Sequence, residues 1–214
     1  MPIVYACICP IATPPEGSRT AEALQRVIDE LSAHEPEIII FVAPGPAGAS
    51  KIGIYSTESQ LSDTLAAEAK KGALPVERLI RWSGSGLVLP IDAQLRIATC
   101  AVDPRYHFDL GRAVARALEA LGKRTALVCA VGLATTSGTR FDEHYRRAIG
   151  SWNVKALVQM DPTFRRRAGE RGVAQTAVLM GVLSGCRVQP RELAHEDGQI
   201  VIAIDVLGAR RRGA

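Results

Sequence analysis

The stretch Asp109-Leu110-Gly111-Arg112-Ala113-Val114-Ala115-Arg116-Ala117-Leu118-Glu119-Ala120-Leu121-Gly122, followed by Lys123-Arg124 and then Thr125-Ala126-Leu127-Val128-Cys129-Ala130-Val131, decides the fold. Leu110, Val114, Leu118 and Leu121 fall on one helical face, and Gly122 is a helix stop. The run from Thr125 has no polar alternation, which predicts a strand covered on both faces, as in a parallel sheet. Upstream, Ile3 to Cys9 is a second such run, stopped by Pro10. Ser18 to Ser32 predicts a helix, with Ala21, Leu24, Val27, Ile28 and Leu31 on one face and Ser18 or Thr20 as N-cap. After Pro36, Glu37 to Ala43 reads as a third buried strand, broken by Pro44-Gly45-Pro46-Ala47-Gly48.

Ser59 to Lys71 reads as helical, and Leu87 to Pro90 and Leu95 to Val102 read as strands around a turn. Phe141 to Ile149 and Val154 to Val158 predict short helices, Gly172 to Leu183 a buried helix, and Gln199 to Leu207 a last strand. Strands alternating with helices predict a single α/β domain over residues 1–208, with a parallel or mixed sheet and helices on both faces. Residues 209–214 read as a basic, disordered tail.

The 214 residues are 47% hydrophobic and 22% charged, an ordinary globular balance. The formal charge of +4 leans on two local runs, Arg165-Arg166-Arg167 and Arg210-Arg211-Arg212, and no aromatic residues interleave with them, which speaks against nucleic-acid binding. The segment from Pro2 to Pro10 lacks a basic leader, and no apolar run reaches the roughly 18 residues of a membrane span. Cys7, Cys9, Cys100, Cys129 and Cys186 have no framework spacing and read as reduced thiols in a cytoplasmic protein.

The unit from Asp109 to Val128 resembles the helix and strand of class III extradiol ring-cleavage dioxygenases of the LigB type. Phe141-Asp142-Glu143, Gly169-Glu170-Arg171-Gly172 through Met180-Gly181-Val182-Leu183, and Gln189-Pro190-Arg191-Glu192-Leu193 with His195-Glu196-Asp197-Gly198 are similar to later segments of that family, in the same order. The resemblance implies a LigB-like fold, and for an active member it implies Fe(II) held by histidines and a carboxylate with open positions for substrate and dioxygen. The residues depart from it at three loops. Where a Pro-His motif would follow the first strand, Pro10 is followed by Ile11; after the second strand the chain reads Pro44-Gly45-Pro46; and where the family's acid-base histidine would stand it reads Gly132 to Gly138, with Thr135, Thr136 and Ser137.

The four histidines do not rebuild such a site. His34 lies at a helix end, His144 on an amphipathic helix beside Arg146 and Arg147, and His195 in a turn with Glu196 and Asp197. His107 precedes a helix and is a pocket candidate, with capping or packing as its plainer role. Cys9 and Cys129 fall near strand ends and could approach each other as a zinc-preferring pair, against the plainer reading of buried small hydrophobes. Glu170 matches a family position near the metal carboxylate. Gly45 to Lys51 lacks P-loop spacing, and Gly84-Ser85-Gly86 has no helix start behind it. A retained pocket is expected at the carboxyl ends of the strands, rimmed by Pro10 to Thr13 (with Cys9, Ile11 and Thr13), Pro44 to Gly48 and Gly132 to Ser137.

The expected function is that of a pseudoenzyme or accessory subunit of this superfamily, without cofactor, assembling with itself or with a ligand-complete dioxygenase homologue and able to hold an aromatic small molecule. The alternatives are an active Fe(II) enzyme opening catechol or aminophenol rings with unrecognised ligands, a hydrolase or lyase on a repurposed pocket, or an interaction protein like the Memo branch.

Overall fold

Unbroken β-branched and aliphatic runs set the centre of the molecule. The computed structural model describes residues 2–46, 48–82, 94–133 and 139–209, less the side chains of Thr139 and Ala209. In chain order the elements are β1 (Ile3–Pro10), α1 (Arg19–Ala33), β2 (Ile38–Pro44), β3 (Ile52–Ser56), α2 (Ser59–Lys71), β4 (Val76–Arg78), β5 (Leu95–Thr99) and α3 (Pro104–Leu121). There follow β6 (Thr125–Val131), α4 (Thr139–Gly150), α5 (Val154–Val158), α6 (Pro162–Ala168), α7 (Val173–Val182), β7 (Cys186–Glu196) and β8 (Gln199–Ala209). The sheet order is β4-β3-β5-β2-β6-β1-β8-β7. β5, β2, β6 and β1 are parallel, while β3 joins β5, and β8 joins β1, antiparallel. The protein is therefore a single-domain α/β fold with an eight-stranded mixed sheet among the described residues.

The route of the chain explains where the helices lie. From β1 it passes over β6 to β2 and outward to β5; from β5 it returns through α3 to β6, between β2 and β1. Right-handed crossovers running in opposite directions put α1 and α3 on opposite faces. Accordingly Ala23, Leu24, Val27 and Leu31 of α1 pack with Tyr5, Cys7, Cys9 and Val128 on one face. Leu110, Val114, Leu118 and nearly all of α7 pack with Ile8, Ile40, Leu127 and Cys129 on the other. The reversal after β5 creates a switch point at the carboxyl ends of β2 and β6, where open α/β sheets place their ligands.

On that second face α3 and α7 cross backbone to backbone. A Cβ on Gly111 would stand 2.1 Å from the Val178 carbonyl oxygen, and one on Gly181 2.1 Å from that of Phe108. Only glycine fits at this crossing. No described helix is long and apolar enough to cross a membrane.

Several sequence expectations are corrected. α3 starts at Pro104, not Asp109, because Asp103 Oδ1 accepts from the Arg105 N–H at 2.9 Å and Pro104 supplies a ready first-turn φ. His107 is thus inside the helix. The strand from Leu95 stops at Thr99, and residues 87–90 lie outside the described residues. Cys186–Glu196 forms a long strand where only a closing turn was expected, and His195 and Glu196 are its last residues; the turn is Asp197-Gly198, both at positive φ. β8 continues to Ala209, one residue into the expected tail, and residues 210–214 lie outside the described residues.

Candidate functional site

Beyond the carboxyl ends of β2 and β5 lies a cleft of about 760 Å³. Its floor is Pro44, Gly45 and Pro46 on one side and Thr99 to Val102 on the other. The two loops are tied by the Gly45 N–H donating to the Thr99 carbonyl at 2.8 Å, and a Cβ on residue 45 would meet that oxygen at 2.7 Å. Glycine is therefore required there, and the resulting close approach lets the cleft continue to the backbone.

The far wall is α6, the link behind it and the start of α7. Asp161 Oδ1 accepts from the Phe164 N–H at 2.7 Å, Pro162 fills the first turn, and Gly169 ends the helix in the left-handed region. The chain then doubles back so that Glu170 Oε2 accepts from the Gly172 and Val173 N–H groups at 2.7 and 2.9 Å, capping α7. Arg171 exchanges two backbone hydrogen bonds with Gly132, of 3.0 and 2.8 Å. That bridge holds the wall against the end of β6.

Among the described residues, three arginines, Arg165, Arg166 and Arg171, line the cleft beside one acidic residue, Glu170. Arg165 Nη1 lies 3.7 Å from Glu170 Oε1, both side chains being largely buried, while Arg165 Nε is buried without a hydrogen-bond partner. Gln175, in the first turn of α7, is 2% exposed, and its Oε1 likewise has no partner. Cys100 also faces the cleft, half buried, its thiol pushed up chiefly by burial. Under the floor His107 is fully buried; its Nε2 accepts from the Cys100 N–H at 3.4 Å, and burial pushes its pKa down to about 4. The imidazole is neutral at pH 7 and supports the β5–α3 loop.

Of the expected pocket residues, Pro44, Gly45 and Glu170 line this cleft, whereas Cys9, Ile11, Thr13, Cys129 and His107 do not. Neither Pro10 to Thr13 nor Gly132 lines this cleft. The Ile11 N–H donates to the Val131 carbonyl at 2.8 Å, and Gly132 is held by Arg171. Thr135, Thr136 and Ser137 lie outside the described residues. Cys9 and Cys129 sit on neighbouring strands but on opposite faces: Cys9 Sγ lies 3.7 Å from Cys7 Sγ, and Cys129 belongs to the other core. His34 caps α1 and stacks on Tyr5, and His144 is exposed. His195 is not alone, its Nε2 lying 3.7 Å from Asp142 Oδ2.

The donor set does not fit the Fe(II) that the resemblance implies. Isoleucine and prolines stand at the two strand ends, Glu170 is engaged by two backbone N–H groups and Arg165, and no trio of His, Cys, Asp or Glu converges among the described residues. Sequence reading passed over Arg165 and Gln175, one as part of a solvated charge run and the other as part of a buried helix. The Asp161-Pro162 start and Gly169 stop were the available signal that Arg165 belongs to a short helix with one inward face.

No family model matches this chain, and no curated protein matches it. Among solved structures it is similar to the crystal structure of the uncharacterized protein JW3007 from Escherichia coli K12, at a TM-score of 0.64 and 16% identity over 94% of this chain and 99% of that one. The likeness concerns the fold.

Proposed function

We propose that this chain is a non-catalytic relative of the class III extradiol dioxygenases, a pseudoenzyme or accessory subunit that uses the β2–β5 cleft to hold a small molecule. The observation carrying this reading is that Ile11 and Pro44-Gly45-Pro46 stand at the strand ends where metal-binding side chains would be expected, with Pro44, Gly45 and Pro46 lining an open cleft. The ordered run of family-like segments from Asp109 to Gly198 supports the same reading. The partner chemistry it calls for is a second copy or a ligand-complete homologue, and the five unbridged cysteines suit a reducing cytoplasm. The test is ring-cleavage absorbance with catechol, protocatechuate and 2-aminophenol after anaerobic reconstitution with Fe(II). No turnover is expected; turnover with any of the three would overturn the reading.

A further inference from the structure

Gln175 and Arg165 share a condition that folded proteins rarely tolerate. The Gln175 side chain is almost wholly buried, its Oε1 has no hydrogen-bond partner, and it lines the same cleft as an arginine whose Nε is buried and unpaired. Buried polar groups in native structures nearly always have partners, and an unpaired one is explained by water, by an ion or by a ligand. The terminal torsion of glutamine is broad and roughly two-fold, so a half-turn offers the cleft either a donor or an acceptor.

The charge of the lining tells which ligand. Three arginines face one glutamate, a net of +2 on the cleft wall, and Glu170 already occupies the N–H groups that begin α7. What is left unmet is therefore the Arg165 Nε–H on a guanidinium edge and the Gln175 amide oxygen, not a helix terminus. A guanidinium edge matches the oxygens of a carboxylate or phosphate in direction as well as in charge.

We infer that the cleft is a binding site for a small oxyanion, in which carboxylate or phosphate oxygens pair with Arg165 and a neighbouring polar atom of the same molecule pairs with Gln175. This deepens the small-molecule part of the reading above and rests on it only for the choice of cleft.

The test is an NMR titration of the ¹⁵N-labelled full chain, following the Arg165 Nε–H and Gln175 side-chain amide signals. Inorganic phosphate and malonate are added separately, against sodium chloride at equal ionic strength. Saturable shifts at both side chains with phosphate, malonate or both, and none with chloride, are expected; which anion acts says whether phosphate or carboxylate chemistry is read. Gln175→Leu and Arg165→Gln should each weaken binding at least about tenfold, the loss of one hydrogen bond with a charged partner. Gln175→Leu should also melt higher than the natural chain, since it replaces a buried amide with an unpaired oxygen by an apolar group of similar size. Absence of saturable shifts, unchanged affinity in both variants, or a Gln175→Leu chain that melts lower would each overturn the site. Ring cleavage with iron would overturn the non-catalytic reading and leave this site standing, whereas a missing anion response would do the reverse.

Discussion

Gly181→Ala isolates one contact, the close crossing of α3 and α7. Two effects of opposite sign compete. In a helix interior, alanine is favoured over glycine by about 1 kcal/mol. Against that, the added Cβ would stand 2.1 Å from the Phe108 carbonyl oxygen and 3.0 Å from Gly111 Cα. A relaxed carbon-to-oxygen contact is about 3.3 Å, so α3 and α7 must part by roughly 1.2 Å, and no rotamer change can help because the obstacles are backbone. Overpacking a close-packed interior costs typically about 1–3 kcal/mol, and an unyielding clash belongs at the upper end. The net expectation is a loss of about 2 kcal/mol, or a melting temperature lower by roughly 4–8 °C in a chain of this size. Urea and thermal denaturation followed by circular dichroism read it. Gly150→Ala is the control: nothing lies within 4 Å of its added Cβ, and it should stabilise by about 0.4–1 kcal/mol. A Gly181→Ala chain as stable as the natural one would refute the close crossing.

Acid should act through His107. Its pKa falls from 6.5 to about 4 on folding, mainly by burial, so the unfolded chain takes up the proton first, and stability should drop as pH falls from 6.5 to 4 and then level off. The loss is on the order of 3 kcal/mol, and His107→Gln should remove that part of the pH dependence in denaturation curves collected between pH 7 and 3.5. Titration with a thiol reagent should find one accessible cysteine per native chain and five in denaturant, because Cys7, Cys9, Cys129 and Cys186 are fully buried while Cys100 faces the cleft. Cys100→Ser should abolish the native reaction, and labelling of a second thiol would contradict the packing of the strands. Glu170→Ala removes the cap of α7, and chemical denaturation should report a loss of about 1 kcal/mol; an unchanged midpoint would mean that the two N–H groups find water as readily.

The parts of the fold legible in sequence were those in which local pattern and tertiary burial agree. α2 and β6 fall on their expected residues, and β1, β2 and α1 within a residue or two, because unbroken apolar runs mark strands covered on both faces and a single apolar stripe marks α1. β7 was missed because it alternates with exposed polar residues and contains Pro190, which a sheet tolerates only at an edge; the strand order puts β7 at that edge, outside β8. The site was half legible. Pro44 and Gly45 could be placed because strand ends are where α/β folds leave clefts, and Glu170 because of the segment it belongs to. Arg165 and Gln175 could not: nothing in a run of arginines says which one turns inward, and a glutamine among valines and leucines looks like any other buried-helix residue until its missing partner is seen in three dimensions.

The proposed reading, a dioxygenase-like fold whose strand ends hold no metal, is tested most directly by counting iron. Full-length chain purified anaerobically, reconstituted with excess Fe(II) and desalted should carry far less than one iron per chain by elemental analysis, with or without catechol present. One iron per chain, retained through desalting and lost in His195→Ala or Glu170→Ala, would contradict the claim and place the metal at residues that the geometry assigns to pairing and capping.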